Sequence, residues 1–342
     1  MPFNRFSRLP GTLFALILIA SFILSACGTT APIAPVTPNV DLPTFTPLPP
    51  TATPEPTLPP ATATPDVPPT PNATEVPALG NKVSAKDGMD QIFIPAGDFL
   101  MGAGKEDHEA KQDLTGGVAF PEVPQFTYTL PDYWIDKTEV TNAMFAKCVA
   151  EGGCAEKERK LSYTINDYYG NPEYDNYPVI YVKWYGASDY CKWAGRRLPT
   201  EAEWEKAARG TAGIRYPWGD EPITSDKANL CDKNCNRPKI ANPSFDDGYG
   251  DLAPVGSYPA GASPYGVLDM SGNAWEWTST LAKPYPYDAT DGREDQDVTG
   301  KRVWRGGSFL NGVWWMRSSM RYLSVQYYEM YMLGFRCAES VP

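Results

Sequence analysis

Short apolar runs, bounded by glycine, proline and polar residues, begin after residue 88 and predict a folded domain there. Residues 89–102 predict a strand, a turn and a second strand, and residues 126–135 predict another strand. Thr141 can cap a helix over residues 142–149, because its hydroxyl can accept a hydrogen bond from a free backbone N–H. The first part of the domain is therefore expected to contain strands followed by one helix.

Two clearer helices follow. Residues 184–194 end at Gly195, a residue that suits the position after a helix C-terminus. Thr200-Glu201-Ala202-Glu203 is a capping box that opens a helix ending at Gly210. Beyond Gly210 the chain predicts no further helix and only short strands, such as 303–305 and 334–337. The whole pattern predicts an α+β fold with few helices, small sheets and long loops.

Residues 1–27 have the form of an export signal rather than of folded structure. Arg5 and Arg8 precede the apolar run 13–24, and Leu24-Ser25-Ala26-Cys27 resembles a bacterial lipobox, in which the cysteine is diacylated and becomes the mature N-terminus. Two acyl chains give stable membrane anchoring. The domain is therefore expected to be exported and held at the cell envelope by lipid on Cys27. Ordinary signal cleavage beside an incidental cysteine is the alternative.

Residues 28–87 are rich in proline and threonine and predict an extended, disordered tether, which leaves 88–342 as one folded domain. The formal net charge of the chain is −11, and removing the signal with Arg5 and Arg8 makes it −13. An acidic exported domain argues against nucleic acid as a partner and is compatible with cation binding.

Six cysteines follow Cys27, and in an oxidising compartment six cysteines predict three disulfides. Local spacing favours Cys148–Cys154 and Cys231–Cys235, which leaves Cys191–Cys337. Cys231 and Cys235 could instead form half of a soft-metal site. Long loops need such restraints or bound cations, so the loop content is consistent with both disulfides and a metal.

Residues 305–337 combine many aromatic and methionine side chains with few reactive ones. Between the Arg305-Gly306-Gly307-Ser308 and Gly334-Phe335-Arg336-Cys337 motifs there is no histidine or cysteine, and Glu329 is the only acid. The single histidine of the chain, His108, is expected in a solvated loop. Nucleophilic catalysis by a Ser/His/Asp or Cys/His set is therefore disfavoured.

The segment 269–277 places Asp269 and Glu276 on either side of a tight turn. Two carboxylates together with backbone carbonyls suit a hard cation such as Ca²⁺. One alternative is a loop anchored by two core tryptophans, Trp275 and Trp277. Another is a pair of carboxylates acting as acid and base, as in glycosidases.

Six motifs together resemble the sulfatase-modifying-factor family, whose founding members are the formylglycine-generating enzymes. In chain order they are Glu139-Val140-Thr141-Asn142, the segment 195–205, Tyr216-Pro217-Trp218-Gly219, Gly272-Asn273-Ala274-Trp275-Glu276-Trp277, Arg305-Gly306-Gly307-Ser308 and Gly334-Phe335-Arg336-Cys337. The resemblance implies an elaborated C-type-lectin-like fold. The same superfamily branch includes sulfoxide synthases and variable ligand-binding proteins of diversity-generating retroelements.

The resemblance also implies two structural calcium sites and one disulfide. The first site would use the Asn229 side chain, the Leu230 carbonyl, Asp247 and the Tyr249 carbonyl. The second would use Asp269, the Gly272 and Ala274 carbonyls, and Glu276. The family joins the cysteine after the second helix to the one in the last motif, which matches Cys191–Cys337.

The catalytic positions of the family do not match. Formylglycine-generating enzymes hold Cu(I) between two thiolates, and the corresponding positions here are Asn311 and Met316. A sulfoxide synthase needs a histidine cluster for iron, and this chain has only His108. Neither copper nor iron is expected, and catalysis is disfavoured.

The sequence therefore predicts a calcium-stabilised binding module whose ligand is a protein, a peptide or a glycan. The residues expected to contact it lie in 309–332 and are Asn311, Trp314, Trp315, Met316, Tyr322, Tyr327, Tyr328 and Tyr331. Exposure is expected for the four tyrosines, and packing beneath the loops is the alternative for all of the aromatics. Two other functions remain alternatives: a protein-cysteine oxidase or other divergent enzyme on the same fold, and an envelope assembly component.

Overall fold

The computed structural model describes residues 80–104 and 121–342. The predicted signal and lipidation site, nearly all of the tether, and His108 lie outside these residues. The described residues form three α-helices, α1 (Asn142–Ala150), α2 (Trp184–Trp193) and α3 (Glu201–Arg209). The strands are β1 (Lys82–Val83), β2 (Asp90–Ile94), β3 (Gly97–Met101), β4 (Phe126–Leu130), β5 (Tyr133–Asp136), β6 (Trp275–Leu281), β7 (Lys301–Arg305), β8 (Tyr322–Val325), β9 (Leu333–Phe335) and β10 (Ala338–Ser340).

The strands form three small sheets, with orders β1-β2-β5-β10, β3-β4 and β8-β7-β6-β9. Every pairing is antiparallel except that of β6 with β9. Long loops connect these elements, and the α+β prediction is confirmed. Strand β1 pairs with β2, so the folded part begins before the predicted boundary at residue 88.

The strand–turn–strand prediction for residues 89–102 is confirmed by β2 and β3, which pair with different partners, β5 and β4. The prediction of one strand over 126–135 was wrong. The segment forms β4 and β5 in two different sheets, and Pro131, which has no N–H to donate to a ladder, lies between them.

All three predicted helices are present. The Thr141 hydroxyl accepts from the Met144 N–H at 3.3 Å, and Gly195 has the left-handed φ of 77° that follows α2. In α3 both bonds of the capping box form between Thr200 and Glu203, at 3.1 and 2.8 Å. Among the described residues, none of the helices is long and apolar enough to cross a membrane.

Strand β6 was not predicted. All seven of its residues are buried, so it lacks the alternation of apolar and polar residues that marks a half-exposed strand. It lies between β7 and β9, with Glu276 opposite Arg305 on one side and Gly334 on the other. This strand therefore brings three motifs that are distant in sequence side by side.

The three predicted disulfides are present. Cys148–Cys154, Cys191–Cys337 and Cys231–Cys235 have Cα–Cα separations of 5.3, 5.6 and 5.0 Å. Cys191–Cys337 spans 146 residues and ties α2 to the chain between β9 and β10. The alternative of a soft-metal site at Cys231 and Cys235 was wrong, because these sulfurs are bonded to each other.

Candidate functional site

A cavity of about 210 Å³ opens beside the β6–β7–β8 sheet and the loop segment 309–332. Aromatic side chains from three neighbouring strands form one wall, and residues of the segments before and after β8 form the rest. The lining residues are Arg237, Trp275, Trp304, Asn311, Trp315, Tyr322, Tyr328, Met330 and Met332. We call this cavity the aromatic pocket.

The rings of the aromatic pocket pack against one another. Trp304 stacks on Tyr328 with ring centroids 5.5 Å apart, and it contacts Tyr322 at 5.2 Å. Trp275 contacts Trp315 edge-on at 6.0 Å. Because each ring is held by at least one other, the wall is preorganised for a flat or apolar ligand.

The resemblance assigns Asn311 to the position of one copper thiolate of the formylglycine-generating enzymes. Asn311 Oδ1 accepts a hydrogen bond from the Ser308 hydroxyl at 2.7 Å and from the Trp275 indole N–H at 2.8 Å. Indole nitrogen is only a donor, so the carboxamide must turn its oxygen towards Trp275. The hard amide oxygen is thereby saturated by two donors and does not fit Cu(I).

Met316 does not line the pocket, contrary to the prediction that it contacts ligand. The short 3₁₀ turn Val313–Met316 turns it inward, where it is fully buried with Tyr216 and Leu230. Its Sδ also lies against the backbone of Gly307, where an added Cβ would be only 3.3 Å from it. A thioether in this position is part of the core.

The other predicted contact residues fall into two groups. Trp315, Tyr322 and Tyr328 line the pocket, whereas Trp314 packs behind Trp315 and beneath Arg317. Tyr327 is 71% exposed but lies outside the lining, and Tyr331 packs on Tyr163. The expectation of four exposed tyrosines was therefore wrong for Tyr322, Tyr328 and Tyr331, which are half-buried.

Five lining residues were absent from the predicted contacts, and two of them, Met330 and Met332, lie within the predicted segment 309–332. Trp304 lies in a predicted strand, where a tryptophan is expected to be a core residue. Trp275 was considered only as an anchor of its loop. Arg237 comes from a loop 67 residues before Trp304 in sequence, and it has no local signal that links it to the pocket. Its Nη2 donates to the Tyr331 hydroxyl at 3.2 Å.

The Gly306-Gly307 turn that carries Ser308 is held by buried ion pairs. Arg305 pairs with Glu205 of α3, which also accepts from Arg209 at 2.9 Å. Neighbouring Arg321 pairs with Glu201 of the same helix, with Nη2–Oε2 at 2.7 Å. The acidic face of α3 therefore fixes the backbone on which the pocket is built.

The first predicted calcium ligand set contains a buried oxygen without a donor. Asn229 Nδ2 donates to the Asp251 carbonyl at 3.0 Å and to Asn273 Oδ1 at 3.1 Å, which leaves Oδ1 buried and unpartnered. Asp247 accepts from the N–H groups of Leu230 and Tyr249, at 2.9 and 3.0 Å. Burial raises the pKa of Asp247 to about 7, against the opposing effect of these two bonds. An oxygen-binding cation would satisfy both groups.

The second predicted ligand set is more strongly occupied by the protein itself. Glu276 forms two 2.7 Å bonds with Arg336 and accepts the Trp204 indole N–H. Asp269 accepts from Gly256 N at 2.6 Å. Glu276 is therefore neutralised by Arg336, and Asp269 is the acid more available to a cation.

Glu139 is a member of this second cluster that sequence reasoning did not assign. Its Oε1 accepts from Asn273, and its Oε2 is buried without a donor. Burial, followed by the nearby charges of Asp269 and Glu276, raises its pKa well above the usual value. Its place in the Glu139-Val140-Thr141-Asn142 motif was the available signal.

A glycine joins the two ligand sets. Gly272 has a φ of 86°, and an added Cβ would lie 2.2 Å from the Asn229 carbonyl oxygen. The same carbonyl accepts from Asn273 N at 2.9 Å. Within residues 80–104 and 121–342, no group of three or more His, Cys, Asp or Glu side chains is arranged to hold a metal ion. Any cation here would rely on amide and carbonyl oxygens as well as acids.

The chain matches the model of the sulfatase-modifying factor enzyme 1-like domain over residues 78–341. It is 35% identical over 262 residues to the formylglycine-generating enzyme of Streptomyces coelicolor, covering 64% of this chain and 78% of that protein. It is 31% identical over 265 residues to the hercynine oxygenase of Mycolicibacterium smegmatis, covering 67% of this chain but only 56% of that protein.

Among solved structures, PvdO from Pseudomonas aeruginosa superposes with a TM-score of 0.57 at 24% identity, over 77% of this chain and 98% of that one. This likeness shows the elaborated C-type-lectin-like fold, as the sequence resemblance implied. The extent of the family match shows more, and the chain belongs to the sulfatase-modifying factor enzyme 1-like family.

Proposed function

We propose that this chain is a ligand-binding member of its family that does not oxidise cysteine with copper, and that the aromatic pocket is its binding site. The observation that carries the proposal is the state of positions 311 and 316. Asn311 has its oxygen saturated by Ser308 and Trp275, and Met316 is buried in the core. The pocket therefore has a formed wall but no pair of thiolates facing it.

The cysteines support the same conclusion. All six cysteines in the described part of the chain are in disulfides, so none of them can supply a copper thiolate in the oxidised protein. What lines the pocket instead is aromatic and thioether surface, which gives large contact area at low entropic cost.

The binding proposal can be tested with methyl-labelled methionine. Met330 and Met332 line the pocket, whereas Met101 is buried in a different cluster of the core. Small ring compounds that bind should shift the NMR signals of Met330 and Met332 and leave that of Met101 unchanged. Tyr328→Ala should abolish the shifts, and Tyr327→Ala is the matched control outside the pocket. Shifts that persist in Tyr328→Ala would place binding elsewhere.

A second candidate function is oxidation of a protein cysteine to formylglycine. It is favoured by the 35% identity to a protein named formylglycine-generating enzyme. The test is incubation with Cu(I), oxygen and a cysteine-containing sulfatase-motif peptide, followed by mass spectrometry of the peptide. We expect no formylglycine, and turnover would overturn the non-catalytic proposal.

We also propose that the folded domain holds structural calcium. The first ligand set is Asn229, the Leu230 carbonyl, Asp247 and the Tyr249 carbonyl. The second contains Asp269, the Gly272 and Ala274 carbonyls, and Glu276. The unpartnered Asn229 Oδ1 and the adjacent Asp247 carboxylate support the first set most directly. Calcium would stabilise the loops there, and its removal should lower the melting temperature.

Finally, we propose that the domain is displayed outside the cytoplasm on a lipid anchor at Cys27. The lipobox in the sequence supports this proposal. Expressed with its own signal, the full chain should fractionate with membranes, and Cys27→Ser should move it to the soluble fraction. A membrane-bound Cys27→Ser variant would contradict lipid anchoring.

A further inference from the structure

Arg237 gives the aromatic pocket a positive edge. Its guanidinium is half-buried and donates to the Tyr331 hydroxyl. No carboxylate in the described part of the chain forms an ion pair with it, and no carboxylate lines the pocket. An arginine without an acid partner beside a cavity is available to a ligand anion.

Asn311 presents a second donor. Because Ser308 and Trp275 both donate to Oδ1, the carboxamide orientation is determined, and the remaining polar atom of the side chain is Nδ2. That nitrogen can only donate. The residue at this position therefore offers the pocket N–H groups and no free oxygen.

The sign of the ligand charge follows from these groups. Aromatic cages often hold cations, through attraction to the ring faces. Here the only ionised side chain in the lining is Arg237, which would repel a cation, and the side-chain nitrogens are donors. The polar lining therefore suits an acceptor with negative charge, and the rings suit a flat body.

The size of the cavity limits that body. A cavity of about 150 Å³ accommodates benzene. The aromatic pocket measures about 210 Å³, which leaves room for one six-membered ring and a small substituent.

Resting on the proposed binding function, we propose that the aromatic pocket takes a carboxylate-bearing ring. The ring packs against Trp275, Trp304 and Tyr328, and the carboxylate accepts hydrogen bonds from Arg237 and Asn311 Nδ2. An aryl carboxylate and a hexuronic acid share this chemistry, and the experiment separates them.

The test is calorimetric titration of the full folded domain with phenylacetate and with glucuronate. Phenylacetamide and glucose are the matched neutral ligands, and benzyltrimethylammonium is the matched cation. Phenylacetate or glucuronate should bind more tightly than its neutral counterpart, and the one that binds identifies the ligand class. The cation should not bind measurably.

The variants assign the effect to Arg237. Arg237→Gln should weaken the carboxylate about tenfold to a hundredfold, the range expected for a charge-assisted hydrogen bond. It should leave the neutral ligand nearly unchanged, and Arg237→Lys should restore part of the preference. Lys239→Gln removes an exposed charge two residues away without touching the pocket. Within each variant, the affinity for the carboxylate is divided by the affinity for its neutral counterpart. Partial unfolding of a variant would affect both affinities equally, so it would not change this ratio.

Three results would overturn the inference. The first is that the neutral ligand or the cation binds as tightly as the carboxylate or more tightly. If that ligand also shifts the Met330 and Met332 signals, the proposed binding function still holds and only the carboxylate preference fails. The second is an unchanged carboxylate preference in Arg237→Gln. The third is no binding of either carboxylate at millimolar concentration. If no ring compound of any charge shifts the Met330 and Met332 signals, the binding function fails as well.

Discussion

Calcium removal is the perturbation that the loops around Asn229 and Asp247 make most informative. Asn229 Oδ1 is buried without a donor, and burial raises the pKa of the Asp247 carboxyl group. An unpaired buried polar atom costs about 1–3 kcal/mol. A bound Ca²⁺ would remove this penalty and stabilise the folded state by mass action.

The size of the effect can be estimated from linkage. At a free ion concentration about a hundred times the dissociation constant, a ligand that binds only the folded state adds about 2.7 kcal/mol. For a domain of this size each kcal/mol corresponds to about 2–4 °C in melting temperature. We therefore expect metal-stripped protein to melt about 5–11 °C lower than protein in saturating calcium.

The assay is differential scanning calorimetry of EDTA-stripped protein with and without added Ca²⁺. Asp247→Ala should reduce the calcium-dependent increment, because it removes the only carboxylate of the first set. Asp246→Ala is the matched control, since Asp246 is the neighbouring acid and pairs with Lys233 at 2.6 Å on the surface. A melt of stripped protein that does not respond to calcium would refute the proposal. An increment that survives in full in Asp247→Ala would refute the first ligand set.

Three further predictions concern stability. Gly272→Ala should lower the free energy of unfolding, measured by urea titration, by more than the roughly 1–2 kcal/mol that a left-handed alanine costs, because its Cβ would lie 2.2 Å from the Asn229 carbonyl oxygen. Gly266→Ala is the control for left-handed strain alone, since Gly266 has a φ of 86° and open space around the added Cβ. Burial lowers the pKa of Lys157 to about 8, so the folded state binds fewer protons than the unfolded state between pH 8 and 10.5. The free energy of unfolding of the wild type should therefore rise relative to that of Lys157→Met by up to about 3 kcal/mol as the pH increases through that window. Urea titrations of both proteins at several pH values would contradict this if the difference between them did not change with pH. Replacing Cys191 and Cys337 with alanine should lower the free energy of unfolding by about 3 kcal/mol more than replacing Cys148 and Cys154, because the two disulfides close loops of 146 and 6 residues. Equal losses of unfolding free energy in guanidinium titrations would show that loop-closure entropy does not dominate the effect.

The sequence was sufficient to predict the helices and disulfides that depend on residues close together in the chain. Thr141 and the Thr200–Glu203 pair cap their helices as expected, because a cap depends on residues within one turn. The short-range disulfides likewise follow from spacing of 6 and 4 residues. The motifs that meet at β6 were recognised, although the strand itself was not, since a strand buried on both faces has no alternating pattern.

The pocket lining could be predicted only in part, because it depends on which way each side chain turns. Trp315 and Met316 are adjacent in a 3₁₀ turn, yet one lines the cavity and the other is in the core. Arg237 reaches the cavity from a distant loop, which no periodicity encodes. Glu139 joins Asp269 through the tertiary fold alone.

Position 311 shows how the loss of one chemistry can create another. By the resemblance this position would carry a copper thiolate, and a cysteine lost without compensation would leave the Trp275 indole N–H unpaired beside a cavity. Asn311 accepts hydrogen bonds from the Ser308 hydroxyl and the Trp275 indole at 2.7 and 2.8 Å, so its oxygen is held by the scaffold and its nitrogen remains for a ligand. Asn311→Asp would keep both bonds and replace the donor with a negative charge, so it should abolish carboxylate binding in the titrations while preserving the fold. Asn311→Ala would instead leave the Trp275 N–H unpaired, and its larger cost in stability would separate the structural role of the oxygen from the binding role of the nitrogen.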